Sequence, residues 1–237
     1  MVFPSRLYAI VDAAVAGRAG WDPVALSRVY LEAGVRLLQL RAPEVDAKIV
    51  LGWCHEVMSI AAPVDACVIL NDRCDLAILA GTDGVHVGQD DLPVPEARRL
   101  LGERAVIGVS THDDTQVREA MGQPASYLAT GPVFDTRTKD TGYPATGLEA
   151  VRRTASVAGN RPVVAIGGIT LATAPSVLEA GATAVAVISV GQDNRFGHPH
   201  PEAIDSLLRH VSPDMLLTTR DRGTIGFVTD GLTLKTD

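Results

Sequence analysis

The sequence predicts an α/β protein built as a (β/α)8 barrel, or TIM barrel, in a single domain with a C-terminal extension. Short apolar runs rich in β-branched residues alternate eight times with amphipathic stretches of helical length. Such continuous apolar runs are typical of parallel strands covered on both faces. Polar residues gather where the runs end, which is where this barrel carries its active site. An open doubly wound sheet is the alternative, and this one-sided distribution argues against it.

The predicted units follow one another along the chain. Strands are expected at residues 7–11, 35–41, 67–71, 84–88, 105–110, 126–133, 162–168 and 184–190. Helices are expected at 23–34, 46–61, 73–80, 93–102, 113–121, 148–157, 172–180 and 201–211, the first with Asp22 as N-cap. The barrel domain therefore covers residues 1–211. Residues 212–237 form a tail in which 224–228 and 232–235 are expected to pair as a hairpin.

Composition excludes several classes of protein. The chain has 237 residues and a net charge of −7, with no Lys/Arg-rich tract, so neither nucleic acid nor a membrane surface is an expected partner. No apolar run approaches the ~18 residues of a membrane span, and the first residues lack the layout of a secretion signal. Cys54, Cys67 and Cys74 show no CxxC spacing, which favours a reduced cytoplasm. A cytoplasmic protein, with homo-oligomerisation left open, is expected.

Two aspartates follow neighbouring strands. Asp72 comes after strand 3 and Asp91 after strand 4, so both should reach the same part of the rim. Two carboxylates with room for water and phosphate are what Mg²⁺ prefers. The alternative is that Asp72 caps the next helix and that Asp90 or Asp91 begins a turn.

Anion donors lie at other strand ends. Gly167-Gly168 precedes a helix, where free N–H groups can receive a phosphate, and Ser189 adds a hydroxyl. Arg41 ends strand 2, where a buried cation needs an anionic partner. A tight turn is the alternative reading of the glycine pair. His112 could act as an acid or base, or simply be a satisfied histidine at a helix start.

The long loop at residues 131–147 carries Thr136, Arg137, Thr138 and Lys139, two hydroxyls and two cations in four residues. We expect a binding loop, since Lys139 and Arg41 are needed as counter-charge in an otherwise acidic protein; a solvated, mobile crossover is the alternative.

Several motifs resemble the thiamine phosphate synthase family. They are NDRCDLAILAGTDGVHVGQDDLP after residue 70, IGVSTH at 107–112, GPVFDTRTK at 131–139, VVAIGGI at 163–169 and VAVISV at 185–190. The resemblance implies a Mg²⁺-dependent transferase that joins hydroxymethylpyrimidine diphosphate to thiazole phosphate, giving thiamine phosphate and pyrophosphate in thiamine biosynthesis. The family also includes thiazole tautomerases.

The resemblance further implies roles for individual residues. Asp72 and Asp91 match the metal ligands. Gln39, Arg41, Asn71 and Lys139 match residues that hold the pyrimidine diphosphate, and Ser110 lies against the pyrimidine. The thiazole phosphate would meet Thr136, Thr138, Gly168, Ile188 and Ser189. Arg41, Ser110 and Lys139 are the predicted catalytic residues.

One position departs from the family pattern, because Pro43 stands where a lysine that meets the diphosphate is usual. The loss of this cation keeps two alternatives open. One is an isomerase like the thiazole tautomerases, which are associated with a histidine in the region of His112. The other is a non-catalytic binder of thiazole or pyrimidine phosphates.

Overall fold

Eight parallel strands close into a barrel in chain order, with β1 hydrogen-bonded to both β2 and β8. This computed structural model describes residues 3–136, 142–170 and 172–188, and the backbone of 228–229 and 234–235. The strands are β1 Leu7–Asp12, β2 Leu37–Arg41, β3 Cys67–Asn71, β4 Gly84–Val87, β5 Val106–Thr111, β6 Tyr127–Thr130, β7 Val163–Ala165 and β8 Ala184–Ile188. The predicted barrel is confirmed.

Helices follow the strands and form the outer layer. They are α1 Ala13–Arg18, α2 Pro23–Glu32, α3 Ala47–Ala61, α4 Cys74–Ala80, α5 Val94–Leu101, α6 Asp114–Met121, α7 Gly147–Ala158 and α8 Ala174–Glu179. Asp22 caps α2 as predicted, accepting from the N–H groups of Val24 and Ala25 at 2.9 and 3.0 Å. The sequence analysis missed α1, a six-residue helix too short to show a helical period. The predicted helix at 201–211 lies outside the described residues.

Alternate residues of each strand face opposite sides of the barrel wall. One set fills the barrel interior, and the other packs against the helices. The interior cluster comprises Tyr8, Ile10, Leu37, Ile69, Val106, Tyr127, Ala129, Val164, Ala184 and Ala186. Val11, Leu38, Leu40, Val68 and Leu70 belong to the outer cluster beneath the helices. Since Leu37 faces inward, Gln39 and Arg41 on the same strand do so too.

A tyrosine crosses the interior because a glycine leaves room for it. Tyr127 is fully buried, and its ring lies against the backbone of Gly108 on β5. A Cβ atom at position 108 would stand 2.0 Å from the Tyr127 Cζ. The atoms in contact belong to the end of a rigid ring that is fully buried and hydrogen-bonded to Tyr8 and His86, so the ring could move aside only by disturbing these neighbours.

Beyond the barrel, the structure describes two short strands in the tail. Val228–Thr229 (β9) and Leu234–Lys235 (β10) pair antiparallel. The division of the chain at residue 211 stays a prediction. Cys54, Cys67 and Cys74 are all unpaired. Among the described residues, no helix has the length and apolar character required to cross a membrane.

We expect Gly108→Ala to lower the free energy of unfolding by about 3 kcal/mol or more, because the added methyl group overpacks a filled interior. Gly52→Ala is the matched control: position 52 lies within α3 and an added Cβ meets nothing within 4 Å. There the substitution should stabilise the protein by up to about 1 kcal/mol. Chemical denaturation followed by circular dichroism measures both, and equal stability of the two variants would contradict the packing described here.

Candidate active site

Five of the twelve predicted site residues lie at inward-facing positions near the carboxyl ends of the strands. Arg41 ends β2, Asn71 ends β3 and Ile188 ends β8, where it packs on the interior cluster. Ser110 is the penultimate residue of β5, and Gln39 lies two residues before Arg41. The structure therefore brings these five predicted residues to one end of the barrel. Their positions follow from the alternation of side chains along the strands and do not depend on the conformation of a loop.

Arg41 has a partner that the sequence analysis did not assign to it. Asp12 ends β1 and lies beside Arg41 in the strand register. Its Oδ2 forms an ion pair with the Arg41 Nη1, while its Oδ1 accepts from the Val15 N–H at 3.0 Å and caps α1. The Asp12 side chain is only 3% exposed, so this carboxylate holds the guanidinium against the barrel wall.

The two predicted metal ligands follow two strands that pair side by side in the barrel, Asp72 directly after β3 and Asp91 in the turn after β4. Burial is the main cause that raises the pKa of Cys74, and the negative charges of Asp75, Asp91 and Asp72 add to it. Because β3 and β4 are neighbours in the barrel, Asp72 and Asp91 lie on the same part of the rim. Among the described residues, no cluster of three or more His, Cys, Asp or Glu side chains could enclose a metal ion. The arrangement is an open pair of carboxylates.

The backbone around this pair is specialised. Asp72 has φ of +62°, a left-handed conformation in which Asp is one of the few tolerated side chains, and its N–H donates to the His86 carbonyl at 2.8 Å. Arg73, not Asp72, occupies the N-cap position of α4. Asp91 Oδ2 accepts from the Gly88 N–H at 2.7 Å, so one of its oxygens closes the turn after β4. Asp91 therefore takes part in a turn, as the alternative interpretation of its position proposed, through one of its two carboxylate oxygens.

The predicted phosphate turn, Gly167-Gly168, packs against the loop between β6 and α7, residues 131–146, which we call the β6 loop. The Val133 and Phe134 N–H groups donate to the carbonyls of Ile166 and Gly167 at 2.9 and 3.0 Å. Gly168 has φ of +62°, and a Cβ there would stand 2.5 Å from the Asp135 carbonyl oxygen. The glycine pair thus lets two loops pack backbone to backbone just before Thr136. Thr138, Lys139 and Ser189 lie outside the described residues.

A chain of hydrogen bonds crosses the barrel interior, and we call its five residues the interior chain: Gln39, Tyr8, Tyr127, His86 and Ser110. The Gln39 Nε2 donates to the Tyr8 Oη at 2.8 Å, and the two tyrosine hydroxyls lie 2.9 Å apart. The Tyr127 Oη lies 2.9 Å from the His86 Nδ1, and the His86 Nε2 lies 2.9 Å from the Ser110 Oγ. Two predicted site residues are therefore linked through three side chains that sequence reasoning missed.

Burial raises the pKa of Tyr8 and of Tyr127 well above the ordinary value for a phenol. Both hydroxyls accordingly keep their protons over the whole physiological pH range. A signal for these residues was present in the sequence: Tyr8, His86 and Tyr127 stand at inward-facing positions of predicted strands, where a polar group requires a partner. Only the closed barrel shows that they are one another's partners.

His112 is held by structural contacts. Its Nδ1 donates to the Gly131 carbonyl at 2.6 Å, and its ring stacks on Tyr143 with centroids 4.1 Å apart. The Gln116 Nε2 donates to the Tyr143 Oη at 3.1 Å. The histidine thus joins the end of β5 to both limbs of the β6 loop.

Known proteins are similar to this chain in sequence. A family model described as thiamine monophosphate synthase matches residues 7–190. A thiamine-phosphate synthase of Chlorobium phaeovibrioides is 38% identical over 220 residues, covering 92% of this chain and 100% of that protein. One of Anaeromyxobacter dehalogenans is 43% identical over 184 residues, covering 78% and 80%.

A solved structure gives the same assignment. The thiamine phosphate pyrophosphorylase of Pyrococcus furiosus superposes with a TM-score of 0.71 at 28% sequence identity, covering 87% of this chain and 96% of that one. Residues 7–190, which the family model matches, include all eight strands of the barrel and every predicted site residue. The chain belongs to the thiamine monophosphate synthase family.

Proposed function

We propose that this protein is a thiamine-phosphate synthase, a transferase that joins a pyrimidine diphosphate to a thiazole phosphate and releases pyrophosphate. The observation that carries the proposal is the shared rim, where an inward-facing arginine, an asparagine, a serine and two carboxylates meet at one end of the barrel. Family membership and relatives of this name support it. The substrates are small phosphorylated molecules, and a cytoplasmic location is consistent with them.

The donor set suits Mg²⁺. Asp72 and Asp91 offer hard carboxylate oxygens from adjacent strand ends, and one Asp91 oxygen is already engaged by the Gly88 N–H. Mg²⁺ characteristically takes one or two carboxylates and completes its shell with water and substrate phosphate. Asp72 and Asp91 would hold the ion, which supplies positive charge against the leaving diphosphate.

Side chains of the protein supply the rest of the stabilisation that the reaction needs. Departure of pyrophosphate builds negative charge on the leaving oxygens, so cations at the rim lower the barrier most when they are already in place. Arg41 is oriented by Asp12 before substrate arrives, and we assign Lys139 to the same charge. An electron-rich aminopyrimidine stabilises the carbon left behind, so no protein nucleophile is needed. The thiazole nitrogen then attacks because both substrates are held in line.

Thiazole phosphate is assigned to the glycine turn after β7, with Thr136, Thr138, Gly168, Ile188 and Ser189 as its contacts. Support comes from the close packing of Gly168 on the β6 loop, which fixes two backbone segments side by side. Gln39, Asn71 and Ser110 are assigned to the pyrimidine side on the strength of their inward-facing positions.

The isomerase alternative requires His112 to act on substrate. In the structure its Nδ1 and one ring face are used to anchor the β6 loop, which favours a structural role. Pro43, which is exposed and follows Arg41 by two residues, is the departure from the family pattern on which the isomerase and non-catalytic alternatives rest.

Purified protein supplied with Mg²⁺ and both substrates should release thiamine phosphate and pyrophosphate in equal amounts, measured by chromatography and a coupled pyrophosphate assay. Isomerisation of a thiazole carboxylate phosphate without coupling, abolished by His112→Ala, would establish the tautomerase alternative. Binding of either phosphate without turnover would establish the non-catalytic alternative.

Asp91→Asn should raise the Mg²⁺ concentration needed for half-maximal turnover at least about tenfold, because asparagine keeps the acceptor for Gly88 but removes the charge. Asp75→Asn is the matched control. Its carboxylate also lies near Cys74, yet it is exposed and paired with Arg73 on α4. Both variants are titrated with Mg²⁺ at saturating substrates, and an equal shift in the two would remove Asp91 from the metal site.

Asp12→Asn should raise the KM for the pyrimidine diphosphate about tenfold or more, since the guanidinium of Arg41 loses the charge that orients it. Asp22→Asn is the control, because Asp22 also caps a helix but its hydrogen bonds are to backbone N–H groups. Asparagine caps helices about as well as aspartate, so Asp22→Asn should leave stability almost unchanged. Asp12→Asn keeps the cap on α1 but leaves the guanidinium of Arg41 without its buried counter-charge, so it should also lower the free energy of unfolding, and both KM values are measured at a temperature where each variant is folded. A KM unchanged in Asp12→Asn would contradict the orienting role.

A further inference from the structure

The interior chain has a direction, which follows from counting protons. Tyr8 Oη receives the Gln39 Nε2–H, so its own proton needs another acceptor, and the described bonds offer the Tyr127 Oη. The Tyr127 proton is then left for the His86 Nδ1, at 2.9 Å. A neutral imidazole that accepts at Nδ1 carries its proton on Nε2, and that proton points at the Ser110 Oγ.

The opposite order leaves a buried donor without an acceptor. If His86 donated from Nδ1 to Tyr127, and Tyr127 to Tyr8, then the Tyr8 hydroxyl would face only the amino group of Gln39. A buried O–H without a partner costs about 1–3 kcal/mol. Tyr8, Tyr127 and Gln39 are all at most 3% exposed, so bulk solvent does not reach the Tyr8 hydroxyl to accept its proton.

The phenols cannot remove this ordering by ionising, because burial holds their pKa values far above neutrality. Ring packing keeps the members in place as well. His86 stacks on Tyr127 with centroids 5.6 Å apart, and Tyr8 meets Tyr127 edge to face at 6.0 Å. The Ser110 carbonyl is fixed separately by the side-chain amide of Gln89.

We propose that the interior chain holds His86 as the Nε2-protonated imidazole and thereby makes the Ser110 hydroxyl a hydrogen-bond donor toward the pyrimidine substrate. Ser110 Oγ accepts from His86, so its single proton is not needed within the chain and serves the site. Tyr127 and His86 are then positioning residues, which act on substrate through Ser110. This inference rests on the proposed function for the identity of the substrate.

The consequence is a preference among pyrimidines. A hydroxyl that donates from Ser110 can form a hydrogen bond with an unprotonated ring nitrogen, as in a 4-aminopyrimidine. In a 4-oxopyrimidine the ring nitrogen carries a proton, so two donors face each other and no hydrogen bond forms. A site that requires a hydrogen bond rejects the mismatched analogue because a buried group is left unpaired. The chain would therefore select the aminopyrimidine over its oxo analogue before any chemistry occurs.

The first test is the protonation state of His86, read by ¹⁵N NMR of the histidine rings at neutral pH and assigned with His86→Gln. The wild-type protein should show Nε2 protonated and Nδ1 unprotonated but hydrogen-bonded. In Tyr127→Phe the Nδ1 resonance should move to that of a nitrogen without a hydrogen bond. Tyr8→Phe removes an equally buried hydroxyl one link further away and should leave both His86 nitrogens as they are.

The second test is binding of the hydroxymethylpyrimidine diphosphate and of its 4-oxo analogue, measured by calorimetry without thiazole phosphate. Tyr127→Phe should weaken binding of the aminopyrimidine about five- to tenfold and reduce its advantage over the oxo analogue by a similar factor. The control is Thr154→Val, which removes a buried hydroxyl paired with Thr130 of β6, outside the interior chain. It should leave both affinities unchanged.

Protonation of His86 on Nδ1 in the wild-type protein, or an Nδ1 resonance unaltered by Tyr127→Phe, would overturn the proposed direction. Unaltered discrimination in Tyr127→Phe would overturn the positioning role. Neither measurement requires turnover, so a protein that orders the chain as described but forms no thiamine phosphate would contradict the proposed function and leave this inference standing.

Discussion

Closure of eight parallel strands is the constraint on which the rest of the structure depends. Once the last strand bonds to the first, every second side chain must point into an interior that is closed by the barrel wall and open to solvent only at its ends. Apolar residues fill most of that space, and the polar ones that remain must bond to each other or to something that enters from the rim. In the part of the barrel that the structure describes, the interior chain and the Arg41–Asp12 ion pair both meet this requirement.

The same constraint joins the two halves of the site. His86 lies in the interior chain by its ring, while its main-chain carbonyl accepts from the N–H of Asp72 and holds that residue in its left-handed conformation. The residues assigned to the pyrimidine and those assigned to the metal are thus fixed by one strand. A site built on strand ends in this way has Arg41 and the two carboxylates in position before substrate binds, which is what stabilising a leaving group requires.

Loops complete the rim by backbone contact. The β6 loop rests on the glycine turn after β7, and its returning limb is held by Thr146, whose N–H donates to the Pro132 carbonyl at 2.8 Å. His112 adds a stacked contact to Tyr143. These contacts need small residues and particular backbone angles at a few places, such as Gly168, rather than a large apolar surface. They explain why the loop motif is short, specific and rich in glycine and proline.

The sequence by itself determined the barrel and the position of the rim, since β-branched runs, helical periods and polar strand ends are local signals that survive without coordinates. Strand β3 at Cys67–Asn71 was predicted to the residue, and the Asp22 cap of α2 was predicted correctly. The tertiary structure decided the pairings. Asp12 meets Arg41, and Tyr8 meets Tyr127, 119 positions away, because closure brings distant strands together and no local pattern records which buried polar groups will meet.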